Sequence, residues 1–177
     1  MSEWELSILF WIQENLTCPL LDTVLPALTS LANHGEIWIL LAVILLIIPK
    51  TRKTGLAMGV TLLMGLLLGN LLLKNLVARV RPYDLTEVTL LVSRLSDYSF
   101  PSGHTLASVG AATALTLYQR WWGVPALVLA AVIAFSRLYL FVHFPTDVLA
   151  GALLGVALAF LARWLVEKVY KKKNPAN

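Results

Sequence analysis

The chain has 177 residues, of which 58% are hydrophobic and 14% charged, against about 25% charged in a soluble domain, and its mean hydropathy is +0.76. That excludes an ordinary soluble protein and describes a membrane protein of one domain, because the length leaves no room for a separate soluble unit. The net charge of +4 does not point to nucleic acid, since Lys50, Arg52, Lys53, Lys171, Lys172 and Lys173 flank apolar runs and read as topology and lipid-headgroup signals.

The first residues, Met1 to Glu5, are acidic where a secretory leader is basic, and no small-residue cleavage pattern follows, so no leader is expected. Residues 3–15 set Leu6, Leu9, Phe10 and Ile12 against Glu5, Gln13 and Glu14 before Cys18-Pro19 interrupts the pattern. Cys18 is the single cysteine, which excludes an internal disulfide and a cysteine-based metal cluster. Residues 20–32 carry Leu21, Leu25, Leu28 and Leu31 at helical spacing. Both stretches are expected to be amphipathic helices in the membrane interface, anchored by Trp4 and Trp11. One bent spanning helix through Pro19 is the competing reading.

From Glu36 to Pro49 the chain is almost purely apolar but short, about 21 Å as a helix. It spans only with help from residues 31–35 or local thinning of the bilayer. Further spanning runs are Gly55 to Val77, Thr105 to Gln119, Val124 to Leu140 and Asp147 to Val166. The expected fold is an all-α integral membrane bundle of about five spanning helices, six being possible. Residues 1–33 are interfacial, 34–168 spanning, and 169–177 a basic cytoplasmic tail. With Lys50–Lys53, Arg120 and Lys171–Lys173 on the cytoplasmic side, the N-terminus and the loop 79–100 fall outside. Arg79, Arg81 and Arg94 in that loop then offend the positive-inside rule unless a site holds them. Gly65/Gly69, Gly151/Gly155 and Ala107/Ala111 are small-residue faces suited to close helix packing.

Three polar islands border the apolar runs. Lys74 is an ionisable group in a spanning segment and needs a reason beyond snorkelling. Arg81 lies seven residues on, near the same helix face if the helix persists to Pro82, and Asn70 shares that face. Arg137 brings a third cation to the same depth, and guanidinium groups match phosphate oxygens. Pro101-Ser102-Gly103-His104 reads as a helix start, with Ser102 as cap, Gly103 allowing close backbone approach, and free N–H groups suited to an anion. His143-Phe144-Pro145-Thr146-Asp147 is a second helix start, in which Asp147 can fix the tautomer of His143 and leave the other ring nitrogen as nucleophile. A metal held by His104, His143 and Asp147 fits less well, because the surrounding cations repel a divalent ion and attract phosphate. His34 has no partner visible in sequence and is read as structural.

Lys74 through Arg81-Pro82, then Pro101-Ser102-Gly103-His104, then Ser136-Arg137 with His143 and Asp147 resemble the three signature motifs of the type 2 phosphatidic acid phosphatases, the lipid phosphate phosphatases. The resemblance covers residues 74–147 and departs at no signature position. It implies that His143 attacks phosphorus with Asp147 orienting it, and that His104 protonates the leaving oxygen and then activates water. It also implies that Lys74, Arg81, Ser102, the Gly103 amide and Arg137 hold the phosphate, with no metal or other cofactor required.

The expected activity is removal of phosphate from a lipid phosphate or pyrophosphate at the outer face of a bacterial cytoplasmic membrane. The expected partners are the lipid substrate and the bilayer, not nucleic acid. A vanadate-dependent haloperoxidase-like enzyme and a non-catalytic lipid phosphate binder or transporter are the alternatives. Phosphatidylglycerophosphate, undecaprenyl pyrophosphate, phosphatidic acid and lipid A phosphates present the same terminal group, so the sequence does not choose among them. Oligomeric state has no readable signal.

Overall fold

The structure, a computed structural model, describes residues 3–173, and among these the fold is all α. Its elements are α1 (Glu3–Asn15), α2 (Pro19–Ser30), α3 (Glu36–Ile47) and α4 (Arg52–Met64), then a π-helical stretch (Gly65–Leu73) leading into α5 (Lys74–Val77). A long loop follows, and then α6 (Gly103–Thr116), α7 (Arg120–Tyr139) and α8 (Pro145–Lys173).

α6 is the centre of the bundle and packs against α4, α7 and α8. Its sequence explains this, because Ala111, Ala112 and Ala114 offer no bulk and are fully buried, and Gly110 meets Gly155 of α8 backbone to backbone. Trp38 of α3 is buried against this centre and donates its indole N–H to Ser108 Oγ at 2.9 Å, which satisfies both polar groups. A second apolar cluster lies at one end of the bundle, where Leu9 and Ile12 of α1 and Leu25 of α2 pack on Tyr139, Leu140, Phe141, Val142 and Phe144. The perimeter is apolar too, with Leu40, Leu63, Leu71, Leu76, Val128, Leu149 and Leu153 exposed. A helix bundle that is apolar outside as well as inside is a membrane protein.

By length and composition, Pro49–Asp84, Arg120–Tyr139 and Pro145–Lys172 can cross a bilayer, and α2 with α3 passes the same test as a pair bent by 42°. These features support three or four of the five expected spans. α6, at 14 residues, is shorter than the roughly 20 that a span needs. Two boundaries differ from expectation. α8 runs to Lys173, so residues 169–173 of the expected basic tail are helical, while 174–177 lie outside the described residues. The helix carrying Lys74 stops at Val77, because Ala78 turns left-handed at φ 48° and its N–H closes the last turn on Lys74 O. It does not persist to Pro82.

Candidate active site

The loop after Ala78 returns over the end of the bundle and is stitched there by backbone. Ser99 N–H donates to Arg79 O at 2.8 Å, and Ser102 N–H donates to Asp147 O at 3.0 Å. Ser102 then caps α6, its Oγ accepting from Thr105 N–H at 3.4 Å and from Thr105 Oγ1 at 3.0 Å. The α7–α8 turn is equally tight. Phe141 is left-handed at φ 58°, and Arg137 O accepts from the N–H groups of Val142 and His143 at 3.2 and 3.3 Å. These turns bring three sequence islands to one end of the bundle.

His143 is fully buried between them, and its two nitrogens face different chemistry. Nδ1 lies 3.4 Å from Ser99 Oγ and 3.7 Å from Asp147 Oδ2, while Nε2 lies 3.4 Å from Arg81 Nη1. Ser99 gives its own proton to Asp147 Oδ2 at 2.5 Å, so both groups beside Nδ1 act as acceptors. The ring proton therefore stays on Nδ1, and Nε2 presents a lone pair toward the cations. Burial, reinforced by Arg81 and Arg137 and opposed by Asp147, pushes the His143 pKa down to about 3. The imidazole is neutral at physiological pH, as a nucleophile requires.

Lys74 and Arg81 converge although they do not share a helix. They meet because both grip Asp97: Lys74 Nζ pairs with Oδ2, and Arg81 Nη2 with Oδ1 at 2.6 Å. Arg81 also donates from Nε to Asp97 O at 2.8 Å and from Nη1 to Val142 O at 2.7 Å. Burial raises the pKa of Asp97, but the Lys74 hydrogen bond and the charges of Lys74 and Arg81 prevail and hold it at about 2. A carboxylate thus rests in the anion cradle.

Lys74, Arg81, Gly103, His104 and His143 line one cavity of about 650 Å³, together with Asn70 and Asp97. Asn33, His34 and Ser96 also border it, and the rest of its wall is apolar and runs between α3 and α4, past Ile39, Val43, Leu62 and Leu63, to Leu46 and Gly55. His104 Nε2 lies 3.0 Å from Asn33 Oδ1. Ser102, Arg137 and Asp147 stand behind the lining. Ser102 and Asp147 are fully buried, and Arg137 donates from Nη1 to Thr29 Oγ1 at 2.9 Å while its buried Nε has no partner. Asn70 Oδ1 is also buried without a partner, and a Cβ on Gly103 would lie 2.7 Å from it. Among the described residues no group of three His, Cys, Asp or Glu side chains is placed to hold a metal ion. His34 is exposed beside Glu36 at 3.7 Å.

The arginines that offended the charge rule divide. Arg79 is held by Glu5 and Asp147, and Arg81 by Asp97, whereas Arg94, on the exposed surface, pairs with Asp84 at 3.1 Å and lies over the Tyr83 ring. Asp97, Ser99, Glu5, Thr29 and Asn33 are not among the expected site residues. Asp97 and Ser99 adjoin the Pro101–His104 motif, which was the available signal for them.

The PAP2 superfamily profile matches residues 54–171, which include every one of the expected site residues. The chain belongs to the PAP2 superfamily. Among PAP2 relatives, the undecaprenyl-diphosphatase of Sulfolobus acidocaldarius is 38% identical over 136 residues, covering 75% of this chain and 66% of that protein. The undecaprenyl-diphosphatase BcrC of Bacillus subtilis is 30% identical, with 80% of this chain and 72% of the relative covered. The crystal structure of the PAP2-type phosphatidylglycerolphosphate phosphatase of Bacillus subtilis superposes with a TM-score of 0.75 at 31% identity, over 94% of this chain and 86% of that one.

Proposed function

We propose that this PAP2-family membrane lipid phosphatase hydrolyses a polyprenyl diphosphate or monophosphate through a phosphohistidine, with the site on the outer face of a bacterial cytoplasmic membrane. The observation that carries the reading is the cavity, which joins His104, His143, Lys74 and Arg81 at its head to one mostly apolar groove along α3 and α4. α3 has 12 residues and so rises about 18 Å, enough to receive the first isoprene units while the rest of the tail stays in lipid. The two undecaprenyl-diphosphatase relatives support this substrate class.

In this reading His143 Nε2 attacks phosphorus, and the P–O bond to the leaving group breaks as the N–P bond forms. His104 gives a proton to the leaving oxygen. It then takes one from the water that cleaves the N–P bond, which returns His143 and releases phosphate. Lys74, Arg81 and the Gly103 N–H receive the equatorial oxygens, with Arg137 and Ser102 behind them. Asp147 and Ser99 keep the proton on Nδ1 and stabilise the cationic ring. α1 and α2 lie in the outer interface, and five helices span, the central one being α6.

The test is phosphate release by the purified protein in mixed micelles, comparing undecaprenyl diphosphate, phosphatidylglycerol phosphate and water-soluble glycerol phosphate, each with and without chelator. The expected order of kcat/KM follows that sequence, chelator has no effect, and His143→Ala is inactive. Asp147→Asn should lose up to about 10⁴-fold, as when a triad carboxylate is replaced. Equal efficiency on the soluble phosphate would remove the lipid selection. Loss with chelator and recovery with a divalent ion would replace the phosphohistidine by metal chemistry.

A further inference from the structure

We infer that the N-terminal helix is part of the catalytic apparatus, and that Glu5 is a positioning residue acting on His143 through Arg79 and Asp147. The inference rests on the reading of His143 as nucleophile. Glu5 lies far outside the family-matched residues 54–171 and on a helix otherwise used for apolar packing, yet it is among the most buried side chains of the protein. Its Oε2 accepts from Arg79 Nη2 at 2.6 Å. Its Oε1 accepts from Thr146 Oγ1 at 2.6 Å and from Thr146 N–H at 3.2 Å. Arg79 donates from Nη1 to Asp147 Oδ1 at 2.6 Å and to Thr146 Oγ1 at 2.7 Å, with its guanidinium 3.9 Å from the Phe144 ring centre. The second oxygen of Asp147 faces Ser99, Phe144 N–H and His143 Nδ1. Carboxylate, guanidinium, carboxylate and imidazole thus form one continuous chain from α1 to the nucleophile.

The charge arithmetic gives the chain its purpose. A single guanidinium between two carboxylates leaves the Glu5–Arg79–Asp147 group with one net negative charge beside His143. Without Glu5, Arg79 would be neutralised by Asp147 alone, and Asp147 would lose its hold on the positive charge that develops on the imidazole as the N–P bond forms. Two further contacts from the same segment follow the pattern, since Thr29 accepts from Arg137 and Asn33 faces His104. Three of the site's side chains, Arg137, His104 and Asp147, are therefore seated, directly or through Arg79, by residues 5–33.

The experiment compares Glu5→Gln, which keeps shape and removes charge, with Glu5→Asp, which keeps charge, and with Gln13→Ala. Gln13 docks the same helix by donating to Tyr139 O at 2.6 Å, away from the relay. Readouts are kcat, KM, inhibition by orthophosphate and the pH profile of kcat, all on one lipid phosphate. Glu5→Gln should lower kcat about 10- to 100-fold, as when the partner behind a functional histidine is removed. KM and phosphate inhibition should stay within about twofold, and the acid limb of the profile should move to lower pH. Glu5→Asp should recover part of kcat and leave the limb unmoved, and Gln13→Ala should also leave it unmoved. Equal losses in Glu5→Gln and Gln13→Ala, a rise in KM with kcat kept, or no advantage of Asp over Gln would each overturn the inference. If instead His143→Ala stays active, it is the reading of the nucleophile that fails.

Discussion

Asp97 is half exposed, yet it pairs with both Lys74 and Arg81, so in the proposed phosphate site it competes with the incoming anion. An ion pair open to water contributes up to about 1 kcal/mol, which corresponds to about fivefold in phosphate affinity. Asp97→Asn is therefore expected to tighten inhibition by orthophosphate by up to about fivefold, measured as an inhibition constant. The sign of any pH effect follows from its lowered pKa: the contact is fully present above the ordinary carboxylate range and is lost only as pH falls through about 2. The ratio of wild-type to Asp97→Asn constants should then be flat from about pH 5 to 8, and a ratio that falls across this range would show that Asp97 is not the competitor. What could be read in advance at this scale was local. Lys74, Arg81, His104, His143 and Asp147 sit in short motifs, and the tendency of Arg79 toward a site showed as an offence against topology. The partners of those residues were out of reach, since Arg79 meets Asp147 across 68 residues, Ser99 meets it across 48, and Glu5 meets Thr146 across 141.

At the scale of helices, α6 and α8 touch through glycine. A Cβ on Gly155 would lie 2.7 Å from Leu106 O and 2.9 Å from Gly110 N, both backbone atoms that cannot swing away, whereas a Cβ on Gly59 meets nothing within 4 Å. Gly155→Ala should cost about 1–3 kcal/mol and lower the melting midpoint in detergent by several degrees. Gly59→Leu should leave the midpoint unchanged and raise KM for a long-chain substrate, because Gly59 lines the groove. The opposite ranking would mean that the helices separate freely at Gly155. The glycine faces were legible because four-residue spacing in an apolar run has few other uses. The end of α5 was not, since Ala78 carries neither glycine nor proline to announce a left-handed turn.

Across the whole molecule, the basic turns and the site lie at opposite ends, and Cys18 is exposed near the site end, where its N–H is 3.3 Å from Tyr139 Oη. In intact cells a membrane-impermeant thiol reagent should label Cys18, and a cysteine placed at Lys171 should stay unlabelled; the reverse pattern would invert the proposed orientation. The bundle was legible from composition and hydropathy, while the count of spans was not, because α6 is too short for a hydropathy test and owes its place to packing.

The contact between Glu5 and Thr146 also bears on biogenesis. The first helix leaves the ribosome long before α8 exists, so the relay closes only after the final helix has been inserted beside the others. A nascent or truncated chain ending before Thr146 lacks both the Asp147 carboxylate and the threonine that α1 awaits. On the proposed relay, hydrolytic competence is a late event in synthesis, and a half-inserted chain does not turn over the lipids around it.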